Sequence, residues 1–232
     1  MKKRIFYTEA AYGVGQVLLA FGTALIAHGG LGISMVVAPA YILHLKLSQL
    51  WQWFSFGMAE YLLQILVLAV MMLILKKAKA IYFLSILSAV AYGFLLDGAM
   101  LLVTKIPVLG FWSRLGIYSL GVIFSTASLS LLFYSYLPPA AYEMLVMRIS
   151  SKFQLKVTRV KTVYDLCSLG LSVVLSLVLL GNIQGIGIGT VVCAVCYGFF
   201  ISLLCRLFSH FWDFKDRFLH RPIFDESEKN YE

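Results

Sequence analysis

Glu60 and Gln64 stand four residues apart in "FSFGMAEYLLQILVLAVMMLIL", a run otherwise suited to hydrocarbon. A carboxyl near the bilayer centre costs roughly 2.5–3.5 kcal/mol on insertion scales unless it is neutralised, paired or turned to a wet cavity. On a helix this spacing puts both side chains on one face. Gln64 then hydrogen-bonds the carboxyl or a ligand, or it serves helix packing. Asp165, in "TVYDLCSL", is a second acid inside an apolar run. A carboxyl in a low-dielectric setting favours its neutral form, which suits proton coupling, and either acid could instead hold a cation or a basic substrate group. The structural alternative is an acid that ties helices together, or an Asp165 that reaches toward a basic interface. Asp97 reads as an interfacial acid.

Breaks in the backbone pattern add further candidates. Glycines at 29, 30 and 32 precede Pro39, and Pro138 and Pro139 stand in a corresponding position later in the chain. Proline removes a helix hydrogen bond, and irregular backbone at membrane depth is tolerated only inside protein or beside a cavity. Broken or re-entrant segments here would bring His28, Ser34, Tyr41, Tyr142 and Glu143 within reach of a central site. An ordinary loop followed by an amphipathic surface helix fits the same residues. Tyr92 and Tyr197, each followed by glycine, either line a cavity or pack against a close neighbour.

Other chemistries find little footing. The four cysteines, Cys167, Cys193, Cys196 and Cys205, all lie in apolar runs, and the Cys193–Cys196 pair has no second ligand pair. His210 and His220 match no ligand spacing, so neither metal nor cofactor is expected. "GNIQGIGIGT" lacks the strand and the Lys-Ser/Thr of a phosphate loop and reads as a tight turn with glycine-mediated packing. The chain holds no HExxH or GxSxG, and no enzyme is expected.

The elements that carry these residues are membrane helices. The 232 residues are 61% hydrophobic and 13% charged, against about 25% charged in soluble domains. Six spans are expected at 12–30, 51–75, 80–103, 113–136, 162–181 and 186–208. Lys2, Lys3 and Arg4, then Lys76, Lys77 and Lys79, then Arg148 to Lys161 load alternate loops with positive charge. The net charge of +8 therefore reads as topology, with both termini cytoplasmic, and not as a nucleic-acid surface. Trp51, Trp53 and Trp112 fall at the expected outer ends. The tail beyond 208 is expected to begin as an interfacial helix.

An internal repeat organises the spans. "SAVAYGFLLD" from Ser88 answers "CAVCYGFFIS" from Cys193 at an offset of 105 residues, and the same offset sets Glu60 on Asp165. "VVAPAYIL" answers "YLPPAAYEML", and Tyr12 and Gly15 answer Tyr118 and Gly121. Three spans per half, an odd number, would insert the halves in opposite senses. The expected architecture is all-α, with two inverted three-helix repeats at 1–105 and 106–208 and a tail at 209–232. Glu60 would lie ~24 Å from the Lys76 end of its helix, toward the outer side, with Asp165 toward the inner side.

"GGLGISMVVAPAYIL", "FGMAEYLLQ" and "GIGIGTVVCAVCYG" resemble the YczE/YitT-like bacterial membrane proteins, in particular uncharacterised members with the GLGIS-xxx-APAY and EY-xx-Q pattern. The resemblance covers about residues 10–208, and "YSYLPP" departs from it by replacing the glycine loop in the second half. It implies a bacterial cytoplasmic-membrane protein, presumed a transporter, without a settled substrate. The expected function is a small secondary transporter of an organic solute, proton-coupled through Glu60 and Asp165. A substrate-binding membrane subunit of a larger uptake system, or a sensor or assembly factor, remains an alternative. The lipid bilayer is the expected partner, with a homodimer or a partner subunit left open.

Overall fold

Gly15, Gly22 and Gly29 recur every seven residues and give α1 (Thr8–Gly29) one face without side chains. That face meets α5 (Phe111–Leu132) antiparallel and at backbone contact. A Cβ added at Gly22 would lie 2.7 Å from the Ser125 nitrogen, and one at Gly121 would lie 2.9 Å from the Gly22 carbonyl. Only small residues allow membrane helices to approach this closely. Ser128 locks the crossing by donating its hydroxyl to the Gly15 carbonyl at 2.6 Å.

The computed structural model describes residues 4–76, 80–135 and 140–215 and is almost entirely helical. After α1 come α2 (Ala38–Leu50), α3 (Phe56–Leu75) and α4 (Ala80–Val103). After α5 come α6 (Ala141–Phe153), α7 (Val157–Leu180) and α8 (Ile188–Phe211). Five of these are long and apolar enough to cross a membrane: α1, α3, α4, α5 and α7. α8 becomes a sixth when its two parts, bent by 44°, are taken as one span. α2 and α6, at 13 residues each, reach only ~20 Å and cannot cross alone.

Packing is pairwise around the α1–α5 seam. α4 runs parallel to α1, tied by Tyr12 to Ser88 and by Thr23 to Tyr92 at 3.0 Å. α8 runs parallel to α5, tied by Tyr118 to Cys193 at 2.8 Å and by Tyr134 to the Cys205 carbonyl at 2.7 Å. α3 lies antiparallel to α4 through Gly57 and Gly93, where a Cβ on Gly57 would sit 2.0 Å from the Gly93 carbonyl. α2 packs on α3 and α7, and α6 on α3 and α7. Leucines and valines such as Leu73, Val178 and Val195 point outward and are about three-quarters exposed, as a surface solvated by lipid requires.

Two expectations change in detail and a third takes definite form. The helix expected from 51 starts at Phe56, because Trp51 to Phe54 form a turn and the Ser55 hydroxyl accepts from the Met58 N–H at 3.1 Å as N-cap. The segment that bears Pro39 forms the short helix α2, with the proline tolerated in its first turn, and a second short helix, α6, begins at Ala141. The tail does not begin as an interfacial helix. α8 continues to Phe211, and β2 (Trp212–Lys215) pairs in parallel with β1 (Arg4–Tyr7). Alternation decides this: Trp212 and Phe214 share a strand face, and Phe6 stacks on the first at 5.6 Å and meets the second edge-on at 6.0 Å between ring centroids. Residues 4–7 and 212–215 thus lie together at one end of the bundle. The remainder of the tail lies outside the described residues.

Candidate functional site

The seam between α3 and α6 gathers the polar residues. Glu60 is placed one turn into α3 and Gln64 one turn further, so both point from the same face. Gln64 donates through Nε2 to Glu60 Oε1 at 3.2 Å, and the Tyr142 hydroxyl donates to the same oxygen at 2.9 Å. The Ala141 N–H, at the start of α6, reaches Gln64 Oε1 at 3.5 Å. At the other end of the seam, Lys152 Nζ donates to the Ile74 carbonyl at 2.6 Å. α6 therefore runs beside α3 in the same direction, and its N-terminus lies within the depth that α3 spans. Leu68, Met71, Tyr82, Met144 and Leu145 seal the seam with apolar contact.

Glu60 is 1% exposed, and its Oε2 has no hydrogen-bond partner among the described residues. A buried polar atom in that condition requires explanation, because leaving one unsatisfied costs about 1–3 kcal/mol. Tyr92 of α4, held by Thr23 of α1, stands within electrostatic reach of Glu60. Tyr142 and Tyr164 place their ring centroids 6.2 Å apart and carry the polar surface from α6 to α7.

Asp165 occupies the other end of this polar line. Its carboxylate pairs with Lys161 at 3.7 Å on the same helix, and the two side chains are 27% and 50% exposed. Glu143 lies within electrostatic reach of Lys161, Asp165 and Glu60. Glu60, Gln64 and Tyr142 are thus joined by hydrogen bonds with Tyr92 in electrostatic reach, and Asp165 lies beyond Tyr164 and Glu143. Lys161, Tyr164 and Thr23 were not singled out from the sequence. Lys161 and Tyr164 could have been found from their place on the Asp165 helix, four residues and one residue before the acid.

The remaining candidates lie elsewhere. Tyr41 packs edge-on against Phe56 at 5.2 Å and lines a cavity of about 310 Å³ with Gly32, Gln184 and Gly185. Two loops build that cavity by backbone pairing, Ile33 N–H to the Gly185 carbonyl and Gly189 N–H to the Leu31 carbonyl, both at 2.8 Å. Pro39 is fully buried, and His28 binds the Ile106 carbonyl at 2.9 Å at the end of α1. Tyr197 packs against the core of α1, α4 and α5. Pro138 and Pro139 lie outside the described residues. His44 on α2 shares Nδ1 with the Phe54 carbonyl at 3.0 Å, and burial pushes its pKa down against the opposing pull of that carbonyl and of Asp97.

Asp97 is a structural residue in this arrangement. Its Oδ1 accepts from the Gly57 N–H at 2.7 Å and its Oδ2 from the Ser55 hydroxyl at 2.6 Å. The carboxylate thereby caps the N-terminus of α3, where both free N–H groups and the helix dipole favour an anion.

Apolar helices around a buried polar seam define a multi-pass integral membrane protein. The chain belongs to DUF6198, a family of unknown function whose profile matches residues 6–206. No curated protein and no solved structure matches it.

Proposed function

We propose that this protein is a small secondary transporter of an organic solute, coupled to protons through Glu60, with alternating access between two inverted repeats. The observation that carries the reading is the unequal state of the two acids. Glu60 is sealed under Tyr142 where the halves meet, while Asp165, its counterpart at the repeat offset, is partly open beside Lys161. A carrier resting with one side closed has this asymmetry.

Helix order supports the repeat. A long, a 13-residue and two long helices occur twice in succession. The α1–α4 tie between Tyr12 and Ser88 has its counterpart in the α5–α8 tie between Tyr118 and Cys193. α3 packs on α6 of the other half, and α2 packs on α7 of the other half. The charge of alternate loops favours a bacterial cytoplasmic membrane with both termini inside, and the YczE/YitT resemblance points the same way.

The test is uptake of a mixed panel of small solutes into proteoliposomes under an imposed pH gradient. At least one solute is expected to accumulate, and a protonophore should collapse the accumulation. Glu60→Gln keeps an acceptor for Tyr142 but cannot exchange a proton, and should reduce the gradient-driven component by at least about tenfold, a loss of ~1.4 kcal/mol. Accumulation that is unchanged in Glu60→Gln would remove the proton-coupling role. Copurification of an ATPase with no flux from the isolated chain would favour the binding subunit of a larger uptake system.

A further inference from the structure

We infer that the seam between α3, α6 and α7 is a binding site for a small organic cation, one carrying an ammonium group on a carbon body. The inference rests on the transporter reading and names its substrate class. Three carboxyls, Glu60, Glu143 and Asp165, stand along the polar line, and among the described residues the ammonium of Lys161, at the exposed end, pairs with Asp165 and reaches Glu143 electrostatically. Glu60 Oε1 is taken by Gln64 and Tyr142, but Glu60 Oε2 is buried with no partner among the described residues, and Glu143 Oε2 is in the same condition. Two buried acceptor atoms on neighbouring carboxyls call for donors, and an ammonium supplies three.

The aromatic content decides what kind of cation fits. Tyr142, Tyr164 and Tyr92 stand among the acids, with the first two rings 6.2 Å apart and tilted by 38°. Tyrosine faces attract a cation held within about 6 Å and tolerate its methyl or methylene groups. A metal ion needs several oxygens converging at about 2–2.6 Å, and among the described residues no three His, Cys, Asp or Glu side chains are grouped to provide them. Acids spaced along aromatic surface suit an organic body instead. Lys161 acts at the open end as an internal competitor, holding Asp165 until the incoming ammonium replaces it.

The experiment is thermal unfolding of the purified full chain with methylammonium, choline and putrescine chlorides. Sodium chloride at matched ionic strength, sodium benzoate and glucose serve as comparators. At least one organic cation should raise the unfolding temperature in a saturable manner where sodium does not. Glu60→Gln and Glu143→Gln, near-isosteric changes whose folding is checked by size-exclusion chromatography, should each weaken that cation by about tenfold or more in Kd. Thr104→Val, at the far end of α4 where the hydroxyl bonds only carbonyls of its own helix, should leave it unchanged. The inference falls if none of the cations stabilises the protein, or if they do so equally in a Glu60→Gln/Glu143→Gln double variant. It also falls if benzoate or glucose binds in their place, and the transporter reading survives that result when the bound solute is carried into proteoliposomes. Cation binding without flux in the same vesicles would uphold the site and overturn the transporter reading.

Discussion

Gly22→Leu is expected to prevent stable folding, and Gly121→Leu to do the same from the opposite helix. At Gly22 a Cβ alone would meet the Ser125 backbone nitrogen at 2.7 Å and the Gly121 carbonyl at 3.0 Å. Backbone cannot swing aside as a flexible side chain would, so α1 and α5 must separate along the seam. Separation would also break the Ser128 to Gly15 hydrogen bond and empty the small-residue contact around Ala20 and Ala24, both buried. Overpacking in a close-packed interior costs about 1–3 kcal/mol when side chains can shift, and a rigid backbone clash lies at or above the top of that range. Gly13→Leu and Gly98→Leu are the matched controls, because open space surrounds a Cβ at either position. In detergent, the Gly22 and Gly121 variants should aggregate on size-exclusion chromatography or unfold far below the wild type, while the controls should run as wild type. A Gly22→Leu protein that unfolds within a degree of wild type would mean that the α1–α5 seam is not the spine of the fold.

The features legible in the sequence were those that depend on composition and on side-chain type along a single helix. Hydropathy located the long helices to within a few residues, because lipid solvates every outward position alike and the apolar run is unbroken. Glu60 and Gln64 were legible as a pair because helical spacing alone sets them on one face. Tyr142 as the donor to Glu60 was not legible in that role, since it lies 82 positions away and the contact depends on α6 descending beside α3. The sequence marked that segment only by its prolines, which break a helix without saying where the chain goes next. The Asp97 cap was missed for a related reason: an acid near a helix end looks interfacial until the N-terminus of a different helix is found against it. The β1–β2 pair joins two four-residue strands from opposite ends of the chain, too short for periodicity to distinguish from a helical continuation.

Asp97→Ala is expected to loosen α3 from α4, and under the proposed repeat the α7–α8 pair indicates what the loosened state resembles. In the first half, Gly57 and Gly93 bring the two backbones together and Asp97 pins the start of α3 across the gap. At the repeat offset these positions become Thr162, Gly198 and Ser202. A threonine replaces the glycine that admits close contact, and a hydroxyl replaces the carboxylate that caps. Correspondingly, a Cβ on Gly198 would meet nothing within 4 Å, and among the described residues no comparable seam joins α7 to α8. Removing a charged cap of this kind costs about 1–2 kcal/mol, which corresponds to roughly a tenfold rise in local opening. Hydrogen exchange at the Gly57 and Met58 amides should accelerate by about that factor in Asp97→Ala, with much less change in Asp97→Asn, whose remaining oxygen still accepts from Gly57. Spin-label distances in the wild type should be narrow across α3–α4 and broad across α7–α8, and Asp97→Ala should broaden the first toward the second. A wild-type α7–α8 distance as narrow as the α3–α4 distance would show that the missing clamp is replaced by other contacts. The alternating access proposed above would then have to arise elsewhere, because a pair held as firmly as α3–α4 cannot move one helix without the other.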